Sequence, residues 1–154
     1  MNSDGEVMAD LGGPLTRGAS DDKLDRFRRT YEAHGITRWV VTDRMGGFLG
    51  YCGIVPHTDE HPLGEHHDIG WRLCRTAWGH GYATEAATVA LVDAFERLGL
   101  SHVLAYTAAD NVRSQAVMNR LGMERRTDLD FSSHYDGYGL WNGLVWAATP
   151  SPRV

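Results

Sequence analysis

The chain has 154 residues, 42% of them hydrophobic and 23% charged, with a formal net charge of −5. That length suits a single domain with a sizeable core, and the acidic balance argues against a nucleic-acid binder, which carries a basic face. Two cysteines, Cys52 and Cys74, make no disulfide framework, and no apolar run approaches membrane-spanning length, so a soluble cytoplasmic protein with no nucleic-acid or membrane partner is expected.

Residues 1–20 are rich in Gly, Asp and Ser and read as loop or a short helix. Asp21 or Asp22 is placed to cap a helix to about Ala33, with Leu24, Phe27 and Tyr31 at helical spacing. A strand at 38–43, a turn at 44–47 and a return strand at 48–55 make a hairpin. A polar, His-rich loop spans 56–67, and a strand follows at 68–74. The next helix, 81–98, has Ala87, Leu91, Ala94 and Leu98 on one face, and Gly99 stops it. After a strand at 102–107, Asp110 or Asn111 caps a helix with the apolar line Val117, Met118 and Leu121, closed by Gly122. Strands at 124–131 and 140–148 flank a loop at 132–139, and the tail 149–154 is expected to fray. There is no repeat and no linker, so residues 1–154 form one domain. The order predicts an α+β fold, a mixed sheet with helices on its faces.

The stretch between the strand at 68–74 and the helix at 81–98 is the most informative. Gly79 and Gly81 lack Cβ, so backbone there can adopt positive φ and approach a ligand closely. Such a turn presents N–H groups at a helix start, where the dipole also favours anions, and so makes a pyrophosphate cradle. On Gly-x-Gly alone, an ordinary strand-to-helix turn remains the alternative.

Four segments then carry a resemblance: Asp68-Ile-Gly-Trp-Arg-Leu73, Ala77-Trp-Gly-His-Gly-Tyr-Ala-Thr-Glu-Ala86, Asp110-Asn-Val-Arg-Ser114 and Asn119-Arg-Leu-Gly-Met123. In this order and spacing they resemble the GNAT acetyltransferases, and within them the RimJ/RimL-like branch, which acetylates N-terminal or other amines with acetyl-CoA. The resemblance runs from about Asp4 to Leu144. It implies a mixed, mostly antiparallel sheet with helices on both faces. It also implies an N-terminally shortened domain, because residues 1–8 look like the family segment that follows the first strand and helix. An uncovered strand edge invites pairing, so a homodimer is expected.

The resemblance further implies acetyl-CoA between the strands at 68–74 and 102–107. The pantetheine arm would pair with the backbone of Trp71, Arg72 and Leu73. The pyrophosphate would rest on the amides of Ala77, Trp78, Gly79, His80, Gly81 and Tyr82, with a hydroxyl from Thr84. Asn111 and Ser114 match family positions that contact pantetheine, while Asn111 as a mere helix cap is the plain alternative. Arg75 is either a phosphate contact or a solvated side chain. The acceptor is an amine, which must be neutral to attack the thioester. Asp68 is the first candidate for its base, with Glu85, His66 and His67 behind it. An amide near Leu73 is the oxyanion donor. Met118 stands where many family enzymes carry an acidic Tyr, so the acid is Ser114, water or nothing.

Other readings carry less. His57, His61, His66 and His67, with Asp59, Glu60 and Glu65, are loosely spaced and lack Cys ligands, so solvated side chains and no metal are expected. Cys74 has no framework for a nucleophile. Tyr135, Tyr138 and Trp141 are either packing residues or a wall of the acceptor site. A CoA-binding module without catalysis and a metal-binding or hydrolytic protein using the His-rich loop are the competing classes.

Overall fold

The computed structural model describes residues 1–58, 60–135 and 139–150. Asp59, Tyr138, the ring of Tyr135 and residues 151–154, which the sequence reading had assigned to the His-rich loop, the acceptor wall and the tail, lie outside these described residues.

The first helix, α1, runs Arg17–His34 and starts earlier than Asp21, because the Thr16 hydroxyl accepts a hydrogen bond from the Ala19 N–H and caps it there. Gly35, at φ 69°, ends it. Strands β1 (Arg38–Thr42) and β2 (Phe48–His57) form the predicted hairpin, its turn closed by the Asp43 carboxylate, which accepts from the N–H groups of Met45 and Gly47. Both β2 and β3 (His66–Leu73) reach further into the His-rich segment than expected, and they pair antiparallel from Gly50↔Leu73 to His57↔His66. Helix α2 (Tyr82–Glu96), strand β4 (Val103–Thr107) and helix α3 (Val112–Arg120) follow close to their predicted bounds.

The predicted strand at 124–131 is broken into β5 (Glu124–Arg125), a 3-10 turn (Thr127–Leu129) and the start of β6 (Phe131–Tyr135). The break is fixed by Asp130, whose carboxylate pairs with Arg125 and accepts from the Val145 N–H on β7 (Gly139–Ala148). The expected loop at 132–139 is therefore partly strand. Among the described residues, seven strands make a mixed, mostly antiparallel sheet in the order β1-β2-β3-β4-β7-β5, with β6 also paired to β7, and only β3 and β4 run parallel.

Strand periodicity puts Cys52, Ile54 and Ile69 on one face, where they pack with Ala87, Leu91 and Ala94 of α2. Ala87 and Ala94, both fully buried, let the helix lie close to the sheet. Tyr51 points to the opposite face and meets Phe27 of α1 ring to ring at 5.2 Å. Helices thus cover both faces, as expected. A smaller apolar group, Leu104, Val145 and Ala147, lies on the α1 side with Tyr106 and Phe131. The N-terminal stretch is ordered against this frame, with Met8 buried and Arg75 paired to Asp4 and Glu6 at 3.1 and 2.8 Å. None of the helices among the described residues is long and apolar enough to cross a membrane.

Candidate active site

The parallel neighbours β3 and β4 register at a single pair, Asp68↔Leu104. Beyond it the strands part, and Trp71, Arg72 and Leu73 border the gap. Past β3 the chain makes a 3-10 turn at Arg75–Ala77, then passes Gly79 (φ 77°) and Gly81 (φ 83°) into α2. Gly81 is the N-cap and supplies no side chain, so the first N–H groups of α2 are not taken by a side-chain cap. A Cβ at either glycine would meet nothing within 4 Å, so the space beside the turn is open. The Trp78 indole N–H donates to the Leu73 carbonyl at 3.0 Å, which ties this turn to the end of β3. On the far side Asn111 caps α3, its Oδ1 accepting from the Ser114 N–H at 3.1 Å.

Between these elements lies a cleft of about 540 Å³, within the range of small-molecule and cofactor sites. It is bordered by every residue expected to hold the cofactor except His80, whose exposed ring stacks on Tyr82. Sequence reasoning missed two further contributions. Arg113 and Arg120 of α3 border the cleft, a pairing the i, i+7 spacing had in it. Glu6, Val7, Asp10 and Leu11 of the N-terminal stretch also border it, and no local pattern announced them. Arg75 is engaged by Asp4 and Glu6. Glu85 faces away, into a broader groove between β1 and α2.

Asp68 lies off the cleft, on the face of β3 that carries Gly70 and Arg72. Its Oδ2 accepts from Arg38 Nη2 and its Oδ1 meets His57 Nε2, both at 2.6 Å. Burial pushes the carboxyl up, but Arg38 and His57 outweigh it and hold it at about 2. A carboxylate so held by Arg38 and His57 is a weak acceptor for an amine proton. Gly70 makes the arrangement possible: a Cβ there would fall 2.9 Å from the Arg38 guanidinium carbon. Met118 is buried in the core and has no proton to donate.

His57, His61 and His66 do converge, with ligand-capable atoms within 4.8 Å of one another. The His57 and His66 rings are stacked 4.7 Å apart and only 11° from parallel, so their in-plane lone pairs do not aim at a common point. Burial, with His66 and His57 nearby, lowers His61 to about 4, and burial also lowers His66. Trp141 packs on Phe131 beside Tyr106, in the apolar group on the α1 side. Cys52 is buried and its thiol is pushed up to about 11 by that burial.

An opened parallel strand pair that meets a glycine turn and an uncapped helix start is the binding frame of an acyl-CoA-dependent transferase. Residues 1–124 match the family model described as the acetyltransferase (GNAT) domain, and the chain belongs to that family, whose members use acetyl-CoA as the acetyl donor. It is 31% identical over 122 residues to the uncharacterized protein YkkB of Bacillus subtilis, an overlap of 79% of this chain and 70% of that one. It is 37% identical over 93 residues to FsC-acetyl coenzyme A-N(2)-transacetylase of Aspergillus fumigatus, covering 58% of this chain but only 39% of that protein. Among solved structures, an acetyltransferase from Agrobacterium tumefaciens superposes with a TM-score of 0.75 at 24% identity, over 93% of this chain and 78% of that one. The fold is thus the GNAT fold.

Proposed function

We propose that this acetyltransferase moves the acetyl group of acetyl-CoA onto an amine by direct attack, the amine belonging to a small molecule, a peptide or a protein N-terminus. One observation carries the reading: the gap between β3 and β4 runs straight into the glycine turn at the start of α2. Strand donors at one end and helix-start donors at the other suit an extended molecule with a diphosphate. The name of the Aspergillus relative, an N(2)-transacetylase, supports nitrogen as the acceptor, as does the resemblance to the RimJ/RimL-like branch.

The bound cosubstrate supplies an activated thioester; the chain's own groups do the rest. The backbone of Trp71, Arg72 and Leu73 holds the pantetheine arm as an added strand. The amides of residues 77–82 hold the diphosphate with the Thr84 hydroxyl beside them, and Asn111 contacts the pantetheine. A strand amide near Leu73 receives the oxyanion that forms when the neutral amine attacks the carbonyl. A C–N bond forms, the C–S bond breaks, and the thiolate leaves with a proton from Ser114 or water. The amine's proton passes to water. Asp68 keeps Arg38 and His57 in place beside the site rather than taking that proton. A CoA-binding protein without turnover is the second reading, favoured by the ion-paired Asp68 and the buried Met118.

The deciding experiment incubates the full chain with acetyl-CoA and a panel of amines and peptides, reading free thiol and product mass. Thiol release matched by an acetylated amine is the expected result. Binding of acetyl-CoA with no release on any amine would replace transfer by the non-catalytic reading.

A further inference from the structure

Arg113 and Arg120 stand two turns apart on α3 and both border the cleft. Neither has a carboxylate partner among the described residues, whereas Arg17, Arg28, Arg38, Arg75, Arg97, Arg125 and Arg126 are each bound by one, and Arg26, Arg29 and Arg44, which also lack one, do not border this cleft. In an acidic chain, two guanidiniums left without anions beside one cleft mark a place for an anion of the ligand. The Arg113 guanidinium lies 3.9 Å from the centre of the Trp78 ring, within cation–π range. That contact sets the plane of its fork, and Trp78 is itself anchored to Leu73. The guanidinium is thereby registered to the same turn whose amides face the diphosphate.

The amides at the start of α2 serve one diphosphate. The arginines lie on a different element, across the cleft, and so suit a second anionic group of the same ligand. CoA carries one, the 3′-phosphomonoester on its ribose. Resting on the acetyl-CoA reading above, we propose that Arg113 and Arg120 form a phosphomonoester subsite that makes this enzyme distinguish CoA from its 3′-dephospho form. Planar, bidentate forks are the side chains best matched to a phosphate, and two of them beside one cleft offer a dianion contacts that 3′-dephospho-CoA cannot make.

The test is calorimetric titration of the full chain with CoA and with 3′-dephospho-CoA. The wild type is expected to bind the dephospho form at least about tenfold more weakly, corresponding to about 1.4 kcal/mol. Arg120→Gln has no described contact to lose in the free protein and should weaken CoA while leaving 3′-dephospho-CoA unchanged. Arg113→Gln should do the same, with its melting temperature recorded because it also loses the Trp78 contact. The ratio of affinities should fall towards one in the double variant. Equal affinity of the wild type for both ligands, or an undiminished ratio in the double variant, overturns the subsite and leaves the CoA reading intact. Failure of both ligands to bind the wild type overturns the cofactor assignment and the subsite with it.

Discussion

A carboxylate only 5% exposed persists in the middle of this sheet because Arg38 and His57 each place a nitrogen 2.6 Å from it. Removing one partner of such a pair leaves the other charge buried and uncompensated. Asp68→Asn should therefore cost about 3–5 kcal/mol, read from the denaturant midpoint; an unchanged midpoint would show that the pair is not closed in solution. The histidines beside it give a pH dependence. An unfolded His61 binds its proton at about 6.5, whereas the folded one, held off by burial and by His66 and His57, binds only near 4. Protons then favour the unfolded chain, so this contribution is full above pH 6.5, falls as pH drops, and stops falling below about 4. His61→Phe, which keeps a ring against Phe131, should flatten the thermal stability curve in that window. A variant curve parallel to the wild type would sink the assignment. Asp68 itself was visible in the sequence as a chemically important carboxylate, but its ion-pair partners were not. Its partner Arg38 lies 30 positions upstream and crosses β2 under a glycine, and no local spacing records such a contact.

Each element that frames the cleft is fixed by a capping or pairing choice that can be tested. Asn111 both starts α3 and borders the cleft. Asn111→Ala should cost about 0.5–2 kcal/mol of stability through the lost cap. Asn111→Asp keeps a good cap, so if the residue also touches the cofactor, the Asp variant should retain its melting temperature yet bind acetyl-CoA more weakly. Equal affinity for wild type and Asn111→Asp would reduce Asn111 to a cap. Helix α2 was legible because its buried Ala87, Leu91 and Ala94 repeat at helical spacing. Helix α1 was legible only in part: none of its residues is fully buried, and its start is set by the Thr16 hydroxyl rather than by an aspartate. The break within 124–131 depends on Asp130 reaching the Val145 N–H across the sheet. The glycine turn was legible because positive φ and a missing Cβ are properties of single residues. The borders contributed by residues 6–11 were not, since long-range ion pairs from Arg75 to Asp4 and Glu6 hold that stretch in place.

At the scale of the molecule, β1 forms one edge of the sheet and leaves Trp39 and Val40 exposed, at 46% and 64%. An exposed apolar edge strand is a template for pairing, and the homodimer expected from the sequence would use it. Sedimentation at micromolar concentration should give a dimer mass for the wild type and a monomer mass for Val40→Lys; a monomeric wild type would remove the expectation. The middle of the sheet, where β3 and β4 part, carries the central claim that acetyl-CoA enters this cleft and is held at the start of α2. It is tested most directly by calorimetric titration of acetyl-CoA into the wild type and Gly81→Trp, with melting curves to confirm that the variant is folded. Gly81 sits at φ 83° beside open space, so an indole there both strains the turn and fills the cradle. One site per wild-type chain and no measurable binding to the folded variant is the predicted result. No binding to the wild type, or the same affinity in both proteins, would contradict it.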